Sequence, residues 1–156
     1  MDKLYIKKSD DNAAPTVNFD HQNGICELEG NSYMESPQAF YGPLKKWITD
    51  YSLNHDDPLK VKFKLTYYNT GSSRQILELL KIIQVLENTG NKISVSWYVN
   101  EFDVDLEEDI EDLMTESNVQ IKIVKLYKDL EPVEESNAKP EKKKSKKSFF
   151  SRIYFN

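Results

Sequence analysis

The stretch Tyr67-Tyr68-Asn69-Thr70-Gly71-Ser72-Ser73-Arg74 concentrates the side chains of this sequence that could do chemistry. It joins an alternating apolar run to a segment with helical spacing, so three hydroxyls fall at the start of a helix. The first amides of a helix have no partner within it and carry partial positive charge. They hold phosphate well. A Thr or Ser at this junction is therefore well placed to be phosphorylated, with the product stabilised in place. The same residues support a purely structural reading. Ser72-Ser73-Arg74-Gln75 matches a capping box, with Ser72 as N-cap and Gln75 three positions on. In that reading Thr70 is an ordinary turn residue.

Patterns for catalysis are missing elsewhere. Five glycines occur, none in a phosphate-loop or dinucleotide spacing, and there is no Gly-x-Ser-x-Gly elbow. The two histidines, His21 and His55, sit in polar turn-like contexts without a second ligand at metal spacing or a nucleophile partner. The lone cysteine, Cys26, excludes an internal disulfide and lies in a short apolar stretch, where a buried inert thiol is expected. The acidic run Glu101, Asp103, Asp105, Glu107, Glu108, Asp109, Glu111, Asp112 lacks the central Gly and terminal Glu of a calcium loop. A solvated helix face is its expected role, with a partner-docking surface as the rival. No catalytic, cofactor or metal residue is assigned.

These residues must be carried by elements with recognisable periods. Residues 3–6 read as an edge strand. Val17 and Phe19, then His21-Gln22-Asn23-Gly24, then Ile25 to Leu28 read as a hairpin. Ser36-Pro37 reads as an N-cap with Pro at the first helical position. Gly42-Pro43 is expected to interrupt that helix before Leu44, Trp47, Ile48 and Tyr51 form one apolar stripe. Residues 59–67 alternate strictly. Leu59, Val61, Phe63, Leu65 and Tyr67 point to one side, and Lys60, Lys62, Lys64 and Thr66 to the other.

A helix is expected from about Ser72 to Asn88, closed by Gly90. A strand is expected at 93–99, a third helix over 101–112 with Val104, Leu106, Ile110 and Leu113 inward, and a last strand at 119–127. The order is a β-hairpin, then α-β-α-β-α-β. Strands joined through helices are parallel neighbours as a rule, and the lysine face of residues 59–67 needs water. The fold class is therefore α/β: two layers, helices mainly on one face of a mixed sheet.

With 156 residues and 30% charged side chains, the chain is sized for one domain. Its charge is uneven. Residues 139–156 hold seven Lys/Arg and one acidic residue; residues 1–138 hold 14 basic and 25 acidic residues. An acidic body repels phosphates, which argues against nucleic acid as a partner. No 18-residue apolar run and no apolar leader is visible. The expected location is cytoplasmic. The tail runs Lys139-Pro140-Glu141-Lys142-Lys143-Lys144-Ser145-Lys146-Lys147-Ser148-Phe149-Phe150 and on to Asn156. A basic block followed by aromatics suits an anionic membrane surface, which would place the protein at the inner face of the membrane. A solubilising tail, or one that folds back on the acidic body, is the other reading.

In order along residues 15–127, several pieces resemble the SiaC family of bacterial regulatory phosphoproteins, whose domain is related in fold to the STAS anti-sigma-factor antagonists. They are Pro15-Thr16-Val17-Asn18-Phe19-Asp20, the Gly24 to Gly30 strand, Gly30-Asn31-Ser32-Tyr33 and Phe40-Tyr41-Gly42-Pro43 with Trp47. Tyr68-Asn69-Thr70-Gly71-Ser72 and Val95-Ser96-Trp97-Tyr98, with the acidic run after it, complete the set.

The resemblance implies a domain over residues 1–130, a low-complexity tail over 131–156 and a phosphoacceptor at Thr70. Asn69, Gly71, Ser72, Ser73 and Arg74 would be the face that partners meet. The family's usual junction is Asn-Thr-Ser-Ser, from which this chain departs at Gly71. The resemblance further implies a partner switch without enzymatic activity of its own. A histidine-kinase-like Ser/Thr kinase adds the phosphate, and a metal-dependent phosphatase removes it. The unmodified form activates an effector such as a diguanylate cyclase. ATP and magnesium then belong to partners, and no cofactor is expected. A constitutive membrane-tethered scaffold and a small-anion sensor are the competing functions.

Overall fold

Alternation decides the sheet. In the computed structural model, which describes residues 1–127, six strands form one sheet in sequence order. They are β1 (Leu4–Ile6), β2 (Thr16–Asp20), β3 (Ile25–Ser32), β4 (Leu59–Tyr68), β5 (Ile93–Asn100) and β6 (Ile121–Leu126). The pairs β1·β2 and β2·β3 are antiparallel; β3·β4, β4·β5 and β5·β6 are parallel. Helices α1 (Pro37–Asn54), α2 (Thr70–Asn88) and α3 (Val104–Ser117) make the three crossovers. This is the expected hairpin followed by α-β-α-β-α-β. The readings for residues 131–156, membrane contact included, lie outside the described residues.

One face of the sheet is covered and the other is wet. Leu59, Val61, Phe63 and Leu65 of β4 are buried beside Val95, Trp97 and Val99 of β5, while Lys60 and Thr66 are exposed. Tyr67, expected inward, is instead exposed and Tyr68 lies half-buried; the alternation changes phase where the β3·β4 register shifts between Gly30 and Asn31, so that Leu65 pairs with Gly30 but Tyr67 with Asn31. On the wet face Lys64 pairs with Glu27 at 3.2 Å and lies over the Tyr98 ring.

The aromatics tie helices to strands. Trp47 packs edge-on to Phe19 and stacks on Tyr51, which stacks on His55. Trp97 stacks on Phe63 and donates its indole N–H to the Leu65 carbonyl at 3.2 Å. Cys26 is fully buried, and burial pushes its thiol pKa well up, so it is an unreactive core residue.

Several local expectations are corrected. Helix α1 runs unbroken through Pro43. Gly42 and Pro43 both lie on its exposed side, where water can take up the carbonyl that a proline leaves without a donor. Ser36 holds the N-cap position of α1 but its side chain makes no capping bond. Helix α3 begins at Val104 and extends to Ser117, with Val104 exposed rather than inward. Gly90 follows the α2 C-cap Thr89 with φ +101°, the left-handed conformation expected of a residue closing a helix. Gly24, at φ +61°, has no room for a side chain: a Cβ would lie 2.5 Å from the Pro58 carbonyl oxygen.

Candidate functional site

The β4–α2 junction sits at the rim where the parallel strands end. Asn69 ends the strand's path and caps α2: its Oδ1 accepts from the Ser72 amide at 2.9 Å, and its carbonyl accepts from the Ser73 amide at 2.8 Å. Its own amide donates to the Ser32 carbonyl at 3.0 Å, which fixes the junction to the end of β3. The N-cap is thus Asn69 and not Ser72, and α2 opens one turn earlier than the Ser-x-x-Gln pattern suggests. The pattern misleads because Asn69 carries the same capping ability three residues upstream.

Thr70 is the first residue of α2 and is exposed. Ser73 is half-buried and Arg74 exposed on the same stretch. Ser72 turns the other way. It is fully buried, and its hydroxyl receives the Ser32 Oγ at 2.9 Å; Ser32 Oγ lies 2.8 Å from the Tyr41 hydroxyl. Ser72 therefore holds α2 onto β3 and α1 and is no part of an outer face. Burial raises the Tyr41 pKa to about 12, with the Ser32 bond pulling against it, so this hydroxyl cluster is neutral and structural. Gly71 lies inside the helix, not in a loop. A Cβ there would come 3.2 Å from Pro37 Cγ, so this glycine lets the first turns of α1 and α2 approach closely. Gln75, buried, accepts from Lys45 at 2.6 Å, and Lys45 also reaches Glu78 at 2.5 Å, which clamps α1 to α2.

Between α2 and α3 a groove of about 530 Å³ opens beside Thr70. Asn69, Thr70, Ser73, Arg74 and Leu77 form one wall, and Asp109, Asp112, Leu113 and Glu116 the other. Tyr68 lies within it, its hydroxyl buried without a hydrogen-bond partner among the described residues. Burial raises the Tyr68 pKa, and Asp109, Asp103 and Asp112 raise it further. The Asp109 carboxyl, though largely exposed, is raised as well, by partial desolvation against the groove first and then by Asp112, Asp105 and Asp103.

The acidic run is therefore only partly a solvated face. Asp105, Glu108, Asp109 and Asp112 are exposed, but Glu107 is fully buried against Lys125 of β6. Asp103 is the α3 N-cap, accepting from the Leu106 amide at 3.1 Å. Among the described residues no three His, Cys, Asp or Glu side chains are grouped to hold a metal ion. Nor is any described helix long and apolar enough to cross a membrane.

The sequence model of the family described as SiaC family regulatory phosphoprotein matches residues 6–126. The chain belongs to the SiaC family. Solved SiaC structures share its architecture. Apo-SiaC from Pseudomonas aeruginosa superposes with TM-score 0.71 at 22% identity, covering 79% of this chain and 98% of that one. SiaC in the complex of the diguanylate cyclase SiaD with its activator SiaC, from the same organism, gives 0.73 at 21%, covering 79% and 99%. An uncharacterized protein of Pseudomonas aeruginosa (strain UCBPP-PA14) is 24% identical over 86 residues, 55% of this chain and 68% of that relative. The SiaC-family match spans every element from the end of β1 to the end of β6, and so contains the whole Thr70 junction.

Proposed function

We propose that this chain is a non-enzymatic switch protein whose Thr70 is phosphorylated by a Ser/Thr kinase and dephosphorylated by a partner phosphatase. Its state then decides whether it engages an effector, for which a diguanylate cyclase is the leading candidate. The supporting observation is the placement of Thr70. In a member of a regulatory phosphoprotein family, it is the exposed hydroxyl on the first residue of a capped helix, at the mouth of a groove.

The local electrostatics give the switch its direction. A phosphate on Thr70 brings about −1.5 to −2 charge. Arg74 lies one helical turn on, on the face that Thr70 shares, and the helix start favours negative charge. Across the groove stand Asp109, Asp112 and Glu116, which repel it. The phosphate is thus drawn to the α2 side and turns a hydroxyl surface into a strongly anionic one. An effector fitted to the neutral form loses its contact. The acidic far wall also disfavours a free small anion in this groove, which weighs against the sensor reading.

The test is intact mass after co-expression with the partner kinase, joined to effector pull-down. Wild type gains one phosphate and loses the effector. Thr70→Ala gains none and stays bound. Phosphorylation of Thr70→Ala to wild-type stoichiometry would show that the acceptor lies elsewhere.

A further inference from the structure

Strands β4, β5 and β6 are parallel and end at one rim, so the chain leaves the sheet at Leu126 on the rim that carries Thr70. The groove beside Thr70 offers three things to an occupant. Asp109, Asp112 and Glu116 supply negative charge, in a stretch (101–118) with nine acidic residues and no Lys or Arg. Leu77 and Leu113 supply apolar wall, and Tyr68 a buried hydroxyl that lacks a partner among the described residues. A cationic segment carrying aromatic side chains answers all three.

Residues 139–156 have that chemistry, with seven Lys/Arg, one Glu, and Phe149, Phe150, Tyr154 and Phe155. Residues 1–127 hold 13 basic and 21 acidic residues, a net −8, so the two parts attract. The 11 residues between, 128–138, span up to about 36 Å, enough to reach across one domain face. The segment is also an addition to the family fold. The family match ends at 126, and 79% of this chain covers 98–99% of two solved SiaC chains.

We propose that residues 139–156 dock in cis in the groove between α2 and α3. The lysines face Asp109, Asp112 and Glu116, an aromatic ring lies against Leu77 and Leu113, and Thr70 is covered. Tethering makes weak contacts sufficient. At the millimolar effective concentration of a short connection, an intrinsic Kd of about 0.1 mM keeps the groove filled roughly ten times as often as empty. If Thr70 is the acceptor proposed above, its phosphate adds negative charge beside the docked lysines and tightens docking, so the tail deepens the switch. An anionic bilayer would attract the same lysines, and vesicle pelleting in the test below separates that outcome from docking in the groove. The groove has the advantage of the tether, and its three carboxylates outweigh the opposing charge of Arg74 on the α2 wall.

Cys26 is the sole cysteine and is fully buried, so Ser148→Cys takes a nitroxide label selectively in the full chain. Amide broadening in an ¹⁵N spectrum is expected at Thr70, Ser73, Arg74 and Asp112 at about 0.02 M salt, and is expected to vanish near 0.5 M. It should also vanish when Lys142, Lys143, Lys144, Lys146 and Lys147 are all changed to Ser, a set that leaves the domain untouched. Dilution should not alter it. Persistence in the Lys→Ser chain overturns the proposal. So does broadening only between labelled and unlabelled copies, or broadening absent while the chain pellets with phosphatidylserine vesicles. A second readout is thiol reactivity of Thr70→Cys, expected about tenfold slower with the native tail than with the Lys→Ser tail; equal rates overturn the covering of Thr70. Neither readout involves a kinase, so an incorrect phosphoacceptor assignment would leave both unchanged.

Discussion

Asn69 and Thr70 are adjacent but differently placed, and substitutions separate them. Asn69 caps α2 through its side chain and pins the junction to β3 through its amide. Asn69→Ala keeps the amide and loses the cap, and is expected to cost about 1 kcal/mol in denaturant unfolding. Thr70, exposed and uninvolved in the cap, should tolerate Ala with no comparable loss. Equal destabilisation by the two would mean that Thr70 is structural. The sequence pointed to Thr70 twice, as a hydroxyl near a helix start and through the ordered pieces of the family resemblance, and the structure has it exposed on the first residue of α2. The sequence did not reveal which hydroxyls face out. Ser72 and Ser73 are the same residue type side by side, and their fates part because Ser32, 40 residues upstream, donates its hydroxyl to Ser72 and itself lies against the Tyr41 hydroxyl. Nor did it reveal that Gly71 sits in the helix, because the neighbour that needs the space, Pro37, belongs to another element.

At the scale of elements, α3 shows where periodicity stops being informative. Its composition reads as a solvated acidic face, yet Glu107 is fully buried with Lys125, whose side chain is 4% exposed. The partner lies on β6, across a turn and outside any helical or strand period, so nothing local marks Glu107 apart from its acidic neighbours. Burial pulls the Lys125 pKa down while Asp103 and Glu101 pull it back up. Glu107→Gln removes the carboxylate against the ammonium and is expected to cost about 3 kcal/mol. Changing Glu107 and Lys125 together to Met should recover most of that, since neither charge then needs solvation. A double change as costly as the single one would show that the pair is not what joins α3 to β6.

Asp109 makes the opposite case on the same helix. Its pKa is raised by burial and by Asp112, Asp105 and Asp103. Above the ordinary carboxylate range the folded chain holds this charge at a cost the unfolded chain does not bear; below it both are protonated and the cost disappears. Asp109→Asn should therefore raise Tm at about pH 7 and leave it unchanged near pH 3. A gain that persists in acid would point to packing instead of charge.

For the whole molecule, the alternation of β4 and β5 and the spacing of three helices carried the fold class, the strand order and the wet face. Those signals repeat every two or every three to four residues and do not depend on distant partners. The groove was not legible, because it exists only where α2 and α3, separated by a strand, come side by side. The division of labour between domain and tail can be tested by removing residues 139–156. Among the described residues, the six strands and three helices end by Leu126, and the core residues lie within them or in their immediate flanks. The shortened chain should therefore fold cooperatively. If the tail occupies the groove about ten times as often as not, removing it takes away roughly 1.4 kcal/mol of native-state binding. For a domain of this size that is a fall of about 5 °C in Tm at low salt. The same comparison near 0.5 M salt should show almost no difference, because screening has already released the tail. A fall well beyond about 15 °C with loss of cooperativity would place the tail in the core. Identical melting at low salt would leave the groove without the occupant assigned to it.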